Sequence, residues 1–125
     1  MMAGERILIV DDDEAIRTML ADIFREEGYE VQTAVHGRQA LDSMNRSAFD
    51  LLLTDMAMPV MGGWELARTL KERGVSVPLV VMTAAQTAAA LAREVDAVAY
   101  VGKPFDIDTL LSTVEQVIHP TSRHS

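Results

Sequence analysis

Asp11, Asp12 and Asp55, together with Thr83 and Lys103, are the residues of this sequence whose types could do chemistry as a group. Carboxylates held close repel one another, and one takes up a proton unless a cation compensates the set. A hard divalent ion answers that need. Mg²⁺ suits it best, because it takes an octahedron of oxygens at about 2.0–2.1 Å from a few carboxylates plus water and phosphate oxygens. A carboxylate so placed is a nucleophile for phosphoryl transfer, which forms an aspartyl phosphate and spreads charge over three equatorial oxygens. Mg²⁺ would hold one of those oxygens, the Lys103 ammonium a second and the Thr83 hydroxyl a third. The chain has no cysteine, so a disulfide framework and a thiolate metal site are both excluded, and a reducing compartment is expected.

These residues are useful only if the chain brings them to one place, and the hydropathy pattern says how it does so. Arg6–Val10 is a continuous apolar run, as expected of a strand buried on both faces, and Asp11 and Asp12 follow it directly. A helix starts with Asp13 as N-cap, carries Ile16, Met19, Leu20, Ile23 and Phe24 on one face, and ends at Gly28. Tyr29–Thr33 alternates like an edge strand, and Ala40, Leu41 and Met44 mark a short helix. Asp50–Thr54 is a second buried strand, followed by Asp55. Trp64, Ala67 and Leu70 mark a helix, with Trp64 expected to cover the sheet. Leu79–Met82 is a third buried strand, with Thr83 after it. Thr87–Glu94 is predicted helical, Ala99–Val101 is a short fifth strand before Lys103, and Ile107, Leu110, Leu111, Val114 and Ile118 form one face of a last helix that His119-Pro120 stops.

Five strands alternating with five helices imply right-handed crossovers and an α/β fold with a parallel sheet covered on both faces. Strands one, three and four read as interior, which agrees with a flavodoxin-like (βα)5 sandwich of strand order 2-1-3-4-5. In such a sheet ligands bind beyond the carboxyl ends of the strands, which is where the acids, the hydroxyl and the ammonium converge. Asp55, after a central strand, is the best placed nucleophile.

At 125 residues the chain is about one domain long, expected to run over residues 1–119 with 120–125 a short tail. Nineteen acids against eleven Lys and Arg give a net charge of −8, which disfavours nucleic acid and admits divalent cations or basic protein surfaces. No apolar run approaches the roughly 18 residues of a membrane span and no signal peptide is visible, so a cytoplasmic protein without membrane attachment is expected. About seven residues follow the last helix, so either a stand-alone protein or part of a longer chain is expected.

Each residue has a plainer reading when taken singly. Asp11–Glu14 suits an acidic helix start, Asp55 a loop, Thr83 a strand-end hydroxyl, Lys103 a surface charge and Tyr100 an edge aromatic packed on the last helix. His36, His119 and His124 show neither metal spacing nor a partner nucleophile, so surface positions are expected. The eight methionines read as core filler. What favours the functional reading is the order and spacing of the segments taken together.

Those segments are Ile9-Val-Asp-Asp-Asp13, Leu53-Thr-Asp-Met-Ala-Met-Pro59, Val81-Met-Thr-Ala84 and Tyr100-Val-Gly-Lys-Pro-Phe105, and together they closely resemble the signature segments of response-regulator receiver domains. The resemblance runs from about Arg6 to Ile118. It implies that Asp55 is the phosphoacceptor, that Asp12 and Asp55 bind Mg²⁺ directly and Asp11 mainly through water, and that the backbone carbonyl of Ala57 is a further ligand. It also implies a switch pair of Thr83 and Tyr100, a phosphate contact from Lys103, and a cis Lys103-Pro104 bond. Gly62 stands where the family often has Asp, and Val95-Asp-Ala-Val98 lacks the usual glycine. Ala57 and Ala85 occupy the positions that, in the family, help set how fast the phosphoryl group is lost.

The function so implied is a two-component signalling switch. It accepts a phosphoryl group from a histidine kinase or phosphotransfer protein, then engages a downstream protein, or a second copy of itself, through the face made by the fourth helix, fifth strand and last helix. It is not an enzyme beyond Mg²⁺-assisted self-phosphorylation and slow self-dephosphorylation. A phosphohydrolase with an aspartyl nucleophile, of the haloacid-dehalogenase type, would want Asp-x-Asp where this chain has Asp55-Met-Ala57. A pseudo-receiver acting unmodified would not need the full Asp, Thr and Lys set.

Overall fold

The computed structural model describes residues 4–56, 58, 60–84, 90, 93, 96–103 and 106–120. In chain order the elements are β1 (Arg6–Val10), α1 (Glu14–Glu26), β2 (Glu30–Ala34), α2 (Gly37–Arg46), β3 (Leu51–Asp55), α3 (Gly63–Glu72), β4 (Leu79–Ala84), β5 (Ala99–Lys103) and α4 (Ile107–Ile118). The helix expected over 87–94 falls almost wholly outside the described residues, within which Ala90 and Arg93 are helical.

All five strands are parallel, in the order β2-β1-β3-β4-β5. This is the flavodoxin-like arrangement, with β1, β3 and β4 inside. β1 and β3 are interior strands because they are apolar on both faces. Leu8 and Val10 of β1 with Leu52 of β3 and Val81 of β4 join the layer under α2 and α3, where Leu41, Leu66 and Leu70 meet them. Ile7, Ile9, Leu51, Leu53, Val80 and Met82 face the opposite layer, made with Leu20 and Phe24 of α1 and Leu110 and Val114 of α4. Leu53 lies between Ile9 and Val80 in the ladder and is fully buried. Truncating such a leucine to alanine costs about 2–5 kcal/mol.

Helix starts follow the side chains that can satisfy free backbone N–H groups. Asp13 caps α1, its Oδ1 accepting from the N–H groups of Ala15 (2.9 Å) and Ile16 (3.2 Å), and Asp106 caps α4 by accepting from Thr109. His36 is not a plain surface residue: it is half-buried, and its Nδ1 accepts from the Gln39 N–H at 3.3 Å at the start of α2. The turn before β5, which lacks a glycine, is made by Asp96 at φ +58. Asp tolerates that left-handed region better than most residues.

Three expectations are corrected. Trp64 does not cover the sheet: it is 41% exposed, and α3 instead buries Gly63, Leu66, Ala67 and Leu70. Met19 likewise faces solvent from α1. The spacing 63, 66, 67, 70 is the true apolar stripe, and its first member has no side chain by which a hydropathy reading could find it. Strands β3, β4 and β5 also run further than their apolar runs, because ladder pairing continues through Asp55↔Met82, Thr83↔Gly102 and Ala84↔Lys103. Asp55, Thr83 and Lys103 are therefore strand residues rather than loop residues.

Candidate functional site

Parallel strands end at one edge of the sheet, and here β1, β3 and β5 deliver their terminal charges to the same point. Asp11 leaves β1 with its backbone N–H bonded to the Ala34 carbonyl at 3.2 Å. It is only 1% exposed, so each of its polar atoms needs a partner. Its Oδ1 accepts from the Asp13 N–H at 2.9 Å, its Oδ2 accepts from the Lys103 ammonium at 3.1 Å, and its backbone carbonyl accepts from the Arg17 guanidinium at 2.9 Å.

Asp55 ends β3 and is 8% exposed. Lys103 Nζ lies 3.2 Å from its Oδ1, so one ammonium bridges Asp11 and Asp55. Asp12 is exposed, and a carboxylate oxygen from each of Asp11, Asp12 and Asp55 lies within 4.8 Å of the other two. Three acids face one ammonium, which leaves an excess of negative charge. The donors are all hard oxygens, so the set fits a hard divalent cation.

Burial raises the Asp55 carboxyl above the usual carboxylate range. The Lys103 ammonium pulls it back and the charge of Asp11 adds to the rise. Burial works against the charge of Lys103, yet its hydrogen bond to Asp11 and the charge of Asp55 together hold it above the ordinary lysine value. The pair is thus a carboxyl poorly solvated at rest beside a cation its neighbours keep charged.

The sequence candidates divide by where the structure puts them. Asp11, Asp12, Asp55 and Lys103 come together. Thr83 is half-buried on β4, opposite Gly102 of β5, while Tyr100 stands two residues earlier on β5, opposite Val81, and is half-exposed. Ala57, Ala85 and the peptide between Lys103 and Pro104 involve residues outside those described, as does His124. His119 is exposed and lies 3.1 Å from Glu5, remote from the site.

Residues 7–115 match the response regulator receiver domain family. The chain belongs to that family. The receiver domain is 36% identical over 119 residues to sporulation initiation phosphotransferase F of Bacillus subtilis, a match covering 94% of this chain and 96% of that protein. It is 35% identical to response regulator MprA of Mycolicibacterium vanbaalenii over 94% of this chain but 52% of the other, so it spans about half the length of that relative. Among solved structures, the response regulator TrrA from Thermotoga maritima in complex with Mg²⁺–BeF superposes with a TM-score of 0.81 at 32% identity, covering 90% of this chain and 98% of that one. Among the described residues, no helix of the receiver domain is long and apolar enough to cross a membrane.

Sequence reasoning missed three neighbours of the site. Arg17 holds the Asp11 carbonyl, Thr54 donates to the Asp55 carbonyl at 2.9 Å, and Gly63 packs against that same carbonyl, where an ideal Cβ would come within 2.8 Å. Only Thr54 left a signal, as a lone hydroxyl inside an apolar run.

Proposed function

We propose that Asp55 is the phosphoacceptor of a two-component signalling switch, loaded by the phosphohistidine of a histidine kinase or phosphotransfer protein. The observation that carries this reading is the single ammonium of Lys103 lying 3.1 Å from Asp11 and 3.2 Å from Asp55, with Asp12 completing the acidic group. Asp11, Asp12 and Asp55 would hold Mg²⁺, with the Ala57 carbonyl as a further ligand on the family likeness. When bound, the ion supplies charge neutralisation for the equatorial phosphoryl oxygens.

The chain's own residues do the rest. An Asp55 carboxylate oxygen forms the bond to phosphorus as the bond from phosphorus to the donor nitrogen breaks, and the imidazole leaves with its electron pair. Lys103 offers a point charge to a second phosphoryl oxygen, and the Thr83 hydroxyl a hydrogen bond to a third. The gain for Thr83 draws it inward and Tyr100 follows, so the face carrying β5, the segment before it and α4 changes shape. A downstream protein or a second copy of the domain docks there. The complex with Mg²⁺–BeF reported for TrrA supports the same chemistry, as does the name phosphotransferase given to the Bacillus subtilis relative. Residues 1–119 form the switch in this reading, 120–125 a tail, and the protein works in the cytoplasm.

Incubation with acetyl phosphate and Mg²⁺, read by intact mass, tests the assignment, because it also asks whether the domain phosphorylates itself from a small donor. One phosphoryl group is expected on the wild type and none on Asp55→Asn. A label that persists in Asp55→Asn places the acceptor elsewhere.

A further inference from the structure

Thr54 interrupts the apolar run of β3 one residue before Asp55, and it is completely buried. Alternation along the strand puts it on the face of Leu52, paired with Val10 of β1 and Val81 of β4. A hydroxyl in that layer is unfavourable unless it has a partner, and a valine would fill nearly the same space without the polar atom. The partner it has is the backbone carbonyl of Asp55, at 2.9 Å.

The other end of the same peptide group is held as well. Its N–H, that of Met56, donates to the Met82 carbonyl on β4 at 3.2 Å. Gly63 closes on the carbonyl from the α3 side, with no room for a Cβ. Asp55 is the last residue of its strand, so beyond the single bond from Met56 to β4 the plane that follows it has no further ladder pairing. That plane contains the Cα–C bond of Asp55, and together with the peptide before it limits where the Asp55 Cβ, and with it the carboxylate, can be aimed.

We propose that Thr54 is a positioning residue for phosphoryl transfer, its buried hydroxyl fixing the peptide that follows Asp55 and so the direction from which the carboxylate attacks. The inference rests on Asp55 being the acceptor. Thr54 touches neither donor nor metal and acts only through the main chain of its neighbour. A misplacement of about 1 Å at a reacting atom lowers rates by up to about 10²-fold, so the loss of one tie within an otherwise held frame should slow transfer about five- to tenfold.

The test compares the full chain with Thr54→Ser, Thr54→Val and Thr54→Ala, measuring the initial rate of labelling by acetyl phosphate at saturating Mg²⁺ and the thermal midpoint of each. Thr and Val share a volume, Ser and Ala share a gap, and only Thr and Ser have the hydroxyl. Rates are expected to sort by hydroxyl: Ser close to wild type despite a lower midpoint, Val slowed although its midpoint holds, Ala slowed as well. Rates that follow side-chain volume or thermal midpoint instead, or a Val variant as fast as wild type, overturn the positioning role. If the wild type takes no label, or Asp55→Asn keeps it, the acceptor assignment itself fails and the inference falls with it.

Discussion

Asp55 is a carboxylate placed where water scarcely reaches it, and the consequences can be read through pH. An unfolded aspartate titrates near about 3.9, and in the folded chain burial sets the value higher, against the pull of Lys103. A group with a raised folded value contributes stability that is complete below the unfolded pKa and lost as pH rises through the folded one. Ionised Asp55 therefore destabilises the fold at neutral pH, and an amide escapes that penalty. Asp55→Asn is expected to melt above the wild type at neutral pH in a chelator, with the difference shrinking in acid. Scanning calorimetry at both pH values decides it, and a mutant that melts lower at neutral pH would mean that the Lys103 attraction outweighs burial. Asp12 is the complementary case, an exposed acid close to two others. Removing it should weaken Mg²⁺ binding by roughly tenfold or more, because the remaining acids lose a ligand and part of the charge that draws the ion. Calorimetric titration of Asp12→Ala with Mg²⁺ checks this, and unchanged affinity would remove Asp12 from the ligand set.

At the scale of elements, the described residues of the β3–α3 connection are held by close backbone approaches. Its Met61 carbonyl accepts from the Gly37 N–H at 2.8 Å, and a Cβ on Gly37 would meet that carbonyl at 2.9 Å, so α2 begins against the connection at a distance only glycine permits. Gly62 and Gly63 approach the Met56 and Asp55 carbonyls as closely. Gly63→Ala should accordingly lower stability by about 1–3 kcal/mol in urea titration and weaken Mg²⁺ binding as well, since its Cβ presses on the main chain of Asp55. In the same connection Val60 sits at φ +67 with 72% of its surface exposed, a β-branched residue in a left-handed backbone. Val60→Asn should gain about 1 kcal/mol, a shift of a few degrees in thermal midpoint, and no gain would show that the turn relaxes around valine. This stretch was also the least legible in the sequence. Glycine carries no hydropathy, so the α3 stripe was read through Trp64 instead of Gly63, and close approach of backbones has no signature in a single sequence. The strands were legible in kind because Leu51, Leu52 and Leu53 are apolar on both faces. Their ends were not, because pairing through Asp55, Thr83 and Lys103 is carried by main-chain atoms that every residue has.

At the scale of the molecule, a single property of the parallel sheet was sufficient to foresee the site: all strands end at the same edge, so charges at the ends of β1, β3 and β5 must gather there whatever the helices do. That is why the gathering of Asp11, Asp12, Asp55 and Lys103 was legible in the sequence, whereas the bonds of Arg17 and Thr54 to backbone carbonyls were not. The same arrangement dictates the order in which the site can assemble. The three acids emerge from the ribosome before Lys103, and Asp11 and Asp55 meet when β3 docks beside β1. Lys103, at the end of β5, is made last of the four, and β5 is joined to β3 only through β4. Until then a nascent chain holds opposed acids without their cation, so the closing of β5 is the step that relieves the repulsion, and Mg²⁺ is expected to substitute for it. Refolding followed by stopped flow should be faster with Mg²⁺ than with a chelator in Lys103→Met, and the acceleration should be smaller in the wild type, which carries its own late counter-ion.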